Sequence, residues 1–245
     1  MYRINEIFSS YQGEGPYMGK HALFVRFSGC NLHCPFCDTE HERVTEWHDS
    51  DESLINRICS MVDPSIKHIV LTGGEPMLQI KDKFLHYLAT TLIKKTPLNH
   101  KLLLNHYPII TVETNGTIPP PEATDTIRAS VGYIVSPKFT DVSVAPLMTG
   151  VFNRNNCAAV KLIAPKSRMS AKRTADLVHI WSSCVKYICG FVPIYIQPMY
   201  PKKFGEASMI KAVKSAVFFQ KQLMEKLPEA DIRLGIQAHK HWGIQ

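Results

Sequence analysis

Seven short apolar runs rich in isoleucine and valine recur along the chain, and each ends in polar or glycine residues. They are "HALFVRFSG" (21–29), "KHIVLTGGEP" (67–76), "IITVETNGT" (109–117), "GYIVSPK" (132–138), "AAVKLIAPK" (158–166), "VPIYIQPM" (192–199) and "IRLGIQAHK" (232–240). Continuous apolar cores of this length suit strands buried on both faces of a parallel sheet. Patterns of helical period lie between several of them. "SDESLINRICSMV" carries Leu54, Ile55, Ile58, Met61 and Val62 on one stripe, with Ser50 as N-cap. "QIKDKFLHYLATTLIKK" repeats the spacing through Ile80, Phe84, Leu88 and Leu92. "SAKRTADLVHIWSSCV", capped by Ser170, and "EASMIKAVKSAVFFQKQLMEKL" follow. Strand and helix alternate, so the class is α/β.

The unusual residues fall at the C-terminal ends of these strands: a cysteine cluster, "TGGE", "ETNG", "SPK", "QP" and "QAHK". In parallel α/β sheets and barrels, that edge binds ligands. Six such clusters on one edge point to one shared site.

With 245 residues, 45% of them hydrophobic, the chain suits one domain over residues 1–245. The opening "MYRINEIFSS" has no apolar stretch of signal-peptide length. No run approaches the roughly 20 apolar residues of a membrane helix. A soluble, cytoplasmic protein with no membrane partner is expected. The net charge is +7, but lysine and arginine are spread along the chain, and the densest groups, at 93–95 and 200–204, are short. With no zinc-finger spacing, RNA-recognition motif or basic tail, the charge alone gives little support to nucleic-acid binding. Of seven cysteines, Cys59, Cys157, Cys184 and Cys189 are scattered among apolar residues and read as buried thiols.

The other three crowd into "CNLHCPFC", as Cys30, Cys34 and Cys37. A structural zinc site wants four ligands. A zinc knuckle here would borrow its fourth from His33, His41 or His48. The alternative is a 4Fe–4S cluster held by three thiolates, with one iron left open to a cofactor.

The spacing C-x3-C-x2-C, followed by "GGEP" (73–76), resembles the radical S-adenosylmethionine (radical SAM) superfamily. "INEIFSSYQGEGPYMGKHALFVRFSGCNLHCPFCDT", "VLTGGEP", "ETNGT", "VSPK" and "IQAHK" narrow the resemblance to the 7-carboxy-7-deazaguanine synthase family, from residue 4 to about 240 with gaps. The resemblance implies an incomplete, TIM-like β/α barrel and a lyase. The reaction it implies converts 6-carboxy-5,6,7,8-tetrahydropterin to 7-carboxy-7-deazaguanine with loss of ammonia. A 5′-deoxyadenosyl radical initiates it by taking the C6 hydrogen, and the product feeds 7-deazaguanine and queuosine biosynthesis.

Site residues follow by the same resemblance. Cys30, Cys34 and Cys37 hold the 4Fe–4S cluster. Phe36, Cys37, Asp38, Gly74, Glu75, Ser136, Pro137, Lys138 and Gln197 meet S-adenosylmethionine. Tyr11, Gln12, Gly13, Glu14, Arg26, Thr72 and His239 meet the pterin, with Arg26 on its carboxylate. Thr39 is the Mg2+ ligand, completed by substrate and water. Glu113 and Asn115 share the edge without an assigned role. No side chain is assigned as a general acid or base. An electron donor such as flavodoxin or ferredoxin is implied, and a homodimer is compatible with the pattern. Two stretches, around 94–108 and 139–157, look like insertions relative to shorter members. The rival readings are a glycyl-radical activase and a non-catalytic metal-binding module.

Overall fold

A computed structural model describes residues 1–66, 68–95, 109–122, 130–138, 150–165, 170–200 and 206–244. Its strands are β1 (Tyr2–Tyr11), β2 (His21–Phe27), β3 (Glu46–His48), β4 (His68–Gly73), β5 (Ile110–Thr114), β6 (Val131–Val135), β7 (Cys157–Ala164), β8 (Ile194–Pro198) and β9 (Ile232–Leu234). They form one sheet in the order β3-β1-β2-β4-β5-β6-β7-β8-β9. From β2 to β9 all neighbours are parallel, while β1 runs antiparallel to both β2 and β3. The seven expected strands are thus the seven parallel ones. The end strands β3 and β9 are not paired with each other, so the sheet stays open, as an incomplete barrel does.

The expected helices are α1 (Asp51–Ser60), α2 (Asp82–Lys95), α3 (Ala171–Val185) and α4 (Glu206–Lys226). Ser50 and Ser170 cap α1 and α3, their side chains accepting from the amides of Ser53 and Arg173. A short α5 (Ala238–Trp242) replaces the second half of the run read as the last strand, because β9 stops at Leu234. Most of the expected insertions at 94–108 and 139–157 lies outside the described residues.

The two faces of the sheet differ. Leu23, Val25, Phe27, Ile69, Leu71, Val112, Val160, Leu162 and Ile194 form one apolar core with α1 to α4. Alternate residues point the other way. Ala22, Phe24 and Val70 make one small cluster there, and Ile134, Ala159 and Tyr195 another, closed by Tyr17. The sheet is therefore not apolar on both faces to the same degree. Its inner face is apolar near the strand starts and polar toward their ends, where Arg26, Thr72, Glu113, Lys161 and Gln197 stand.

Tyr17 belongs to a 3-10 turn (Gly15–Tyr17) in the β1–β2 connection. That connection reaches across the open side of the sheet. The carbonyl of Gly13 accepts from the amide of Ala238 at 2.9 Å, tying the first hairpin to the segment after the last strand. Among the described residues, no helix is long and apolar enough to cross a membrane.

Of the scattered cysteines, Cys157 and Cys184 are buried as expected, and burial pushes their thiols up to about 12 and about 11. Cys59 and Cys189 are only partly buried at the margin of the core, which corrects the expectation for those two.

Candidate active site

The cysteine loop leaves β2 through Gly29, whose φ of 87° favours glycine. It is docked on the GGEP loop that follows β4. Gly74 donates its amide to the Phe27 carbonyl at 3.1 Å, and Glu75 to the Gly29 carbonyl at 2.9 Å. A Cβ on Gly74 would collide with the Gly29 carbonyl, so a side chain there is incompatible with this approach. The turn after β5 is pinned to the same loop. Asn115 Nδ2 donates to Asn31 Oδ1 at 3.0 Å, and Asn31 Nδ2 to Thr117 Oγ1 at 2.8 Å. This gives Asn115 a structural role.

Glu75 is fully buried and turned away from the ligand edge. Its Oε1 accepts from the Met77 amide at 3.0 Å and the Thr114 hydroxyl at 2.8 Å, and its Oε2 from the Asn115 amide at 2.7 Å. The side chain expected at S-adenosylmethionine is thus committed to fastening two loops. Burial holds its carboxyl above the ordinary value despite these donors. Glu75→Gln would set an amide NH2 against the Asn115 N–H. A buried donor without an acceptor costs about 1–3 kcal/mol. In a chain of this size that lowers the unfolding midpoint by roughly 2–4 °C per kcal/mol, measurable by thermal denaturation.

Cys30, Cys34 and Cys37 all line one cavity of about 540 Å³ and are free thiols. Burial raises Cys30 and Cys34 above the ordinary thiol value, while Lys138 pulls both the other way. Among the described residues, no group of three or more His, Cys, Asp or Glu is placed to hold a single metal ion. His48, one candidate zinc ligand, instead bonds Ser53 Oγ at 2.9 Å and Glu46 at 3.3 Å. Three thiols of one loop on one wall fit a cluster that takes three protein ligands, while His41, another candidate zinc ligand, also lines this cavity.

The same cavity runs onto the inner face of the sheet. Lys161, 8% exposed, sets its ammonium 2.7 Å from Glu14 Oε2 and 3.6 Å from Glu113 Oε1. Gln237 Nε2 donates to Glu14 Oε1 at 2.7 Å, Gln12 Nε2 to Glu113 Oε1 at 3.2 Å, and the Thr72 hydroxyl to Glu113 Oε2 at 3.0 Å. Burial alone would raise the Glu14 carboxyl. The Lys161 ammonium outweighs it, helped by Gln237 and His239, and holds Glu14 below the ordinary range. Burial likewise lowers Lys161, but Glu113 and Glu14 outweigh it and lift the ammonium above its usual value. The stabilisation from a depressed carboxyl is present above its ordinary value of 4.5 and lost as pH falls through the folded one. That from a raised lysine is present below 10.5 and lost as pH climbs past the folded value. The pair is therefore charged throughout the neutral range.

Arg26 stands at the level of Thr72 in the β2–β4 register and lines the cavity. Its Nε donates to Glu6 Oε1 at 2.6 Å, and its guanidinium lies over the Phe8 ring. Among the described residues its terminal nitrogens have no partner. His239 packs on Gly13, where a Cβ would collide with its ring. Lys240 bonds Asp38 at 2.6 Å, fastening α5 to the cysteine loop, and against some desolvation holds the Asp38 carboxyl low. The ammonium of Lys138 donates to Ser136 Oγ at 3.0 Å. Gln197 lines the cavity, while its Oε1 is buried against Gly235 with no hydrogen-bond partner among the described residues.

Of the sequence-expected residues, Tyr11, Gln12, Gly13, Glu14, Arg26, Cys30, Cys34, Phe36, Cys37, Asp38, Thr39, Thr72, Gly74, Ser136, Lys138, Gln197 and His239 line this one cavity. Glu75 and Pro137 do not. Sequence reasoning missed Lys161 and Gln237. A lysine inside the apolar run "AAVKLIA" was the available signal for the first.

The model of the radical SAM superfamily matches residues 24–145, the span that holds the cysteine and GGEP loops. The 7-carboxy-7-deazaguanine synthase of Bacteroides thetaiotaomicron is 42% identical over 130 residues, 53% of this chain and 60% of that protein. The protein of the same name from Caulobacter vibrioides is 28% identical over 99% of both chains. In the first relatives, the matched segment spans about three fifths of their length or less. The crystal structure of QueE from Escherichia coli shares the fold, with a TM-score of 0.54 at 21% identity over 97% of this chain and 94% of that one. With three thiols and the GGEP loop on one wall of an open β/α barrel, and with these relatives, the chain is similar to the radical SAM superfamily over residues 24–145 and to the 7-carboxy-7-deazaguanine synthases.

Proposed function

We propose that the protein is a 7-carboxy-7-deazaguanine synthase, contracting the ring of 6-carboxy-5,6,7,8-tetrahydropterin with release of ammonia. The observation that carries this reading is the composition of one cavity. Its upper wall holds three half-buried thiols and the GGEP loop, and its inner wall holds Arg26 beside a carboxylate–lysine network. When bound, a 4Fe–4S cluster and S-adenosylmethionine supply the radical that removes a substrate hydrogen.

The residues of this chain do the rest. Cys30, Cys34 and Cys37 hold the cluster. Phe36, Asp38, Gly74, the Glu75 backbone, Ser136, Pro137, Lys138 and Gln197 flank S-adenosylmethionine. Arg26, steadied by Glu6, offers its terminal nitrogens to the substrate carboxylate, whose two oxygens match a guanidinium fork. Tyr11, Gln12, Gly13, Glu14, Thr72 and His239 surround the pterin ring. Thr39 would offer one neutral oxygen to a magnesium ion, with substrate and water supplying its other ligands. A one-electron donor such as flavodoxin or ferredoxin and a cytoplasmic setting complete the reading.

The test is an anaerobic assay of the iron- and sulfide-reconstituted protein with reductant, S-adenosylmethionine, magnesium and the carboxytetrahydropterin, followed by mass spectrometry. Formation of 7-carboxy-7-deazaguanine is expected. Cleavage of S-adenosylmethionine without that product would overturn the assignment and leave only the superfamily. In the same assay, Arg26→Ala removes charged hydrogen bonds worth about 1.5–3 kcal/mol, so KM for the pterin rises roughly 10- to 150-fold. An unchanged KM would take Arg26 out of the site.

A further inference from the structure

We propose that Lys161 is a positioning residue that holds Glu14 and Glu113 as a paired acceptor on one wall of the cavity. A substrate must then present N–H donors to that wall and its anionic end to Arg26. The inference rests on the proposed activity for its substrate.

The geometry carries the argument. Lys161 reaches Glu14 at 2.7 Å and Glu113 at 3.6 Å, from the inner face of β7. Among the described residues, the other side-chain hydrogen bonds to these two carboxylates come from Gln237, Gln12 and Thr72, and all are donated to them. An ionised carboxylate is acceptor-only, with about four lone-pair sites, so both retain capacity toward the cavity. With their donors already in place, the lone pairs these carboxylates have left favour amino and ring N–H groups over another acceptor such as a carboxylate. Arg26, on β2, lines the same cavity and presents the opposite character, a donor-only cation. A 2-amino-4-oxopyrimidine ring bearing a distant carboxylate is divided in the same way. The other titratable groups near this network are Lys138, Asp38, His239, Lys240 and Tyr200, and Asp38 is already paired with Lys240.

Without Lys161, Glu14 and Glu113 lose the ammonium that both of them meet, and the wall loses its fixed acceptor arrangement. A lysine that merely braced the barrel would affect stability and KM without changing which ligand edge is preferred.

The experiment compares kcat/KM for 6-carboxytetrahydropterin with that for its 2-oxo counterpart, in which an acceptor oxygen replaces the exocyclic amine. The wild type is expected to prefer the amine by at least about 100-fold, because a buried acceptor left facing an acceptor is strongly penalised. Lys161→Met is expected to shrink that preference to about tenfold or less, and Lys161→Arg to restore most of it. Retained cluster absorbance and unfolding midpoint serve as controls for folding. A Lys161→Met enzyme that keeps the full preference, whatever its KM, overturns the inference. Should that variant not fold, Glu113→Gln replaces one acceptor by an amide while leaving Lys161, and an unmoved preference there overturns it equally. A wild type that converts neither pterin removes the proposed activity and this inference with it. A wild type that converts the amine form, with variants whose preference is unmoved, removes this inference alone.

Discussion

Cys34→Ser is expected to give a folded chain that assembles no stable 4Fe–4S cluster and forms no product. A cubane anchored at three corners has no spare protein ligand, and a serine hydroxyl is a poor substitute for a thiolate. The fold should survive, because the loop is held by other contacts. Gly74 and Glu75 bond the carbonyls of Phe27 and Gly29, Asn31 bonds Asn115 and Thr117, and the side chain of Asn5 bonds the carbonyls of Glu40 and Arg43. None of these uses the Cys34 thiol. Iron and sulfide analysis after anaerobic reconstitution, with an unfolding curve of the metal-free protein, separates the two effects. Product formation by this variant would overturn the account of the cysteine loop.

Gly74→Ala is the second large effect, and it acts through packing. The new Cβ would meet backbone, the Gly29 carbonyl, and would come within 3.0 Å of Cys30 Cβ. Backbone cannot rotate away as a side chain does, so the GGEP and cysteine loops must part. Overpacking of this kind costs about 1–3 kcal/mol, and the amide–carbonyl bonds between the loops go with it. The unfolding midpoint is expected to fall by roughly 4–12 °C. S-adenosylmethionine affinity should drop as well, because one methyl displaces two motifs that share a wall. Calorimetry and equilibrium binding on the reconstituted variant check both. A midpoint within a degree of wild type would mean that the loops yield more easily than their backbone contacts imply.

Much of this architecture was legible in the chain because parallel strands and amphipathic helices leave simple marks. The seven apolar runs became β2 and β4 to β9, and Ser50 and Ser170 cap the helices they precede. The first strand was not legible. Its alternation is broken by a register shift between Ile4 and Glu6 and by the buried Asn5, so period-2 counting fails over Tyr2–Tyr11. The site was legible in its motifs and less so in its long-range partners. Nothing local to "AAVKLIA" states that its lysine meets Glu14 and Glu113, which lie 147 and 48 positions earlier. Glu75 shows the converse. Its motif suggests a ligand contact, but its burial commits the carboxylate to Thr114, Asn115 and Met77.

The open side of the sheet has a further consequence. Among the described residues, no ladder of amides runs between β1 and β9. The wall there is a seam, sewn by the Ala238–Gly13 bond, the Gln237–Glu14 bond and the Lys240–Asp38 ion pair. Ladder strands separate in cooperative units, whereas a few separate contacts open more locally. On the side where Glu14 and His239 stand, the wall is thus closed by a few separate contacts and not by strand pairing.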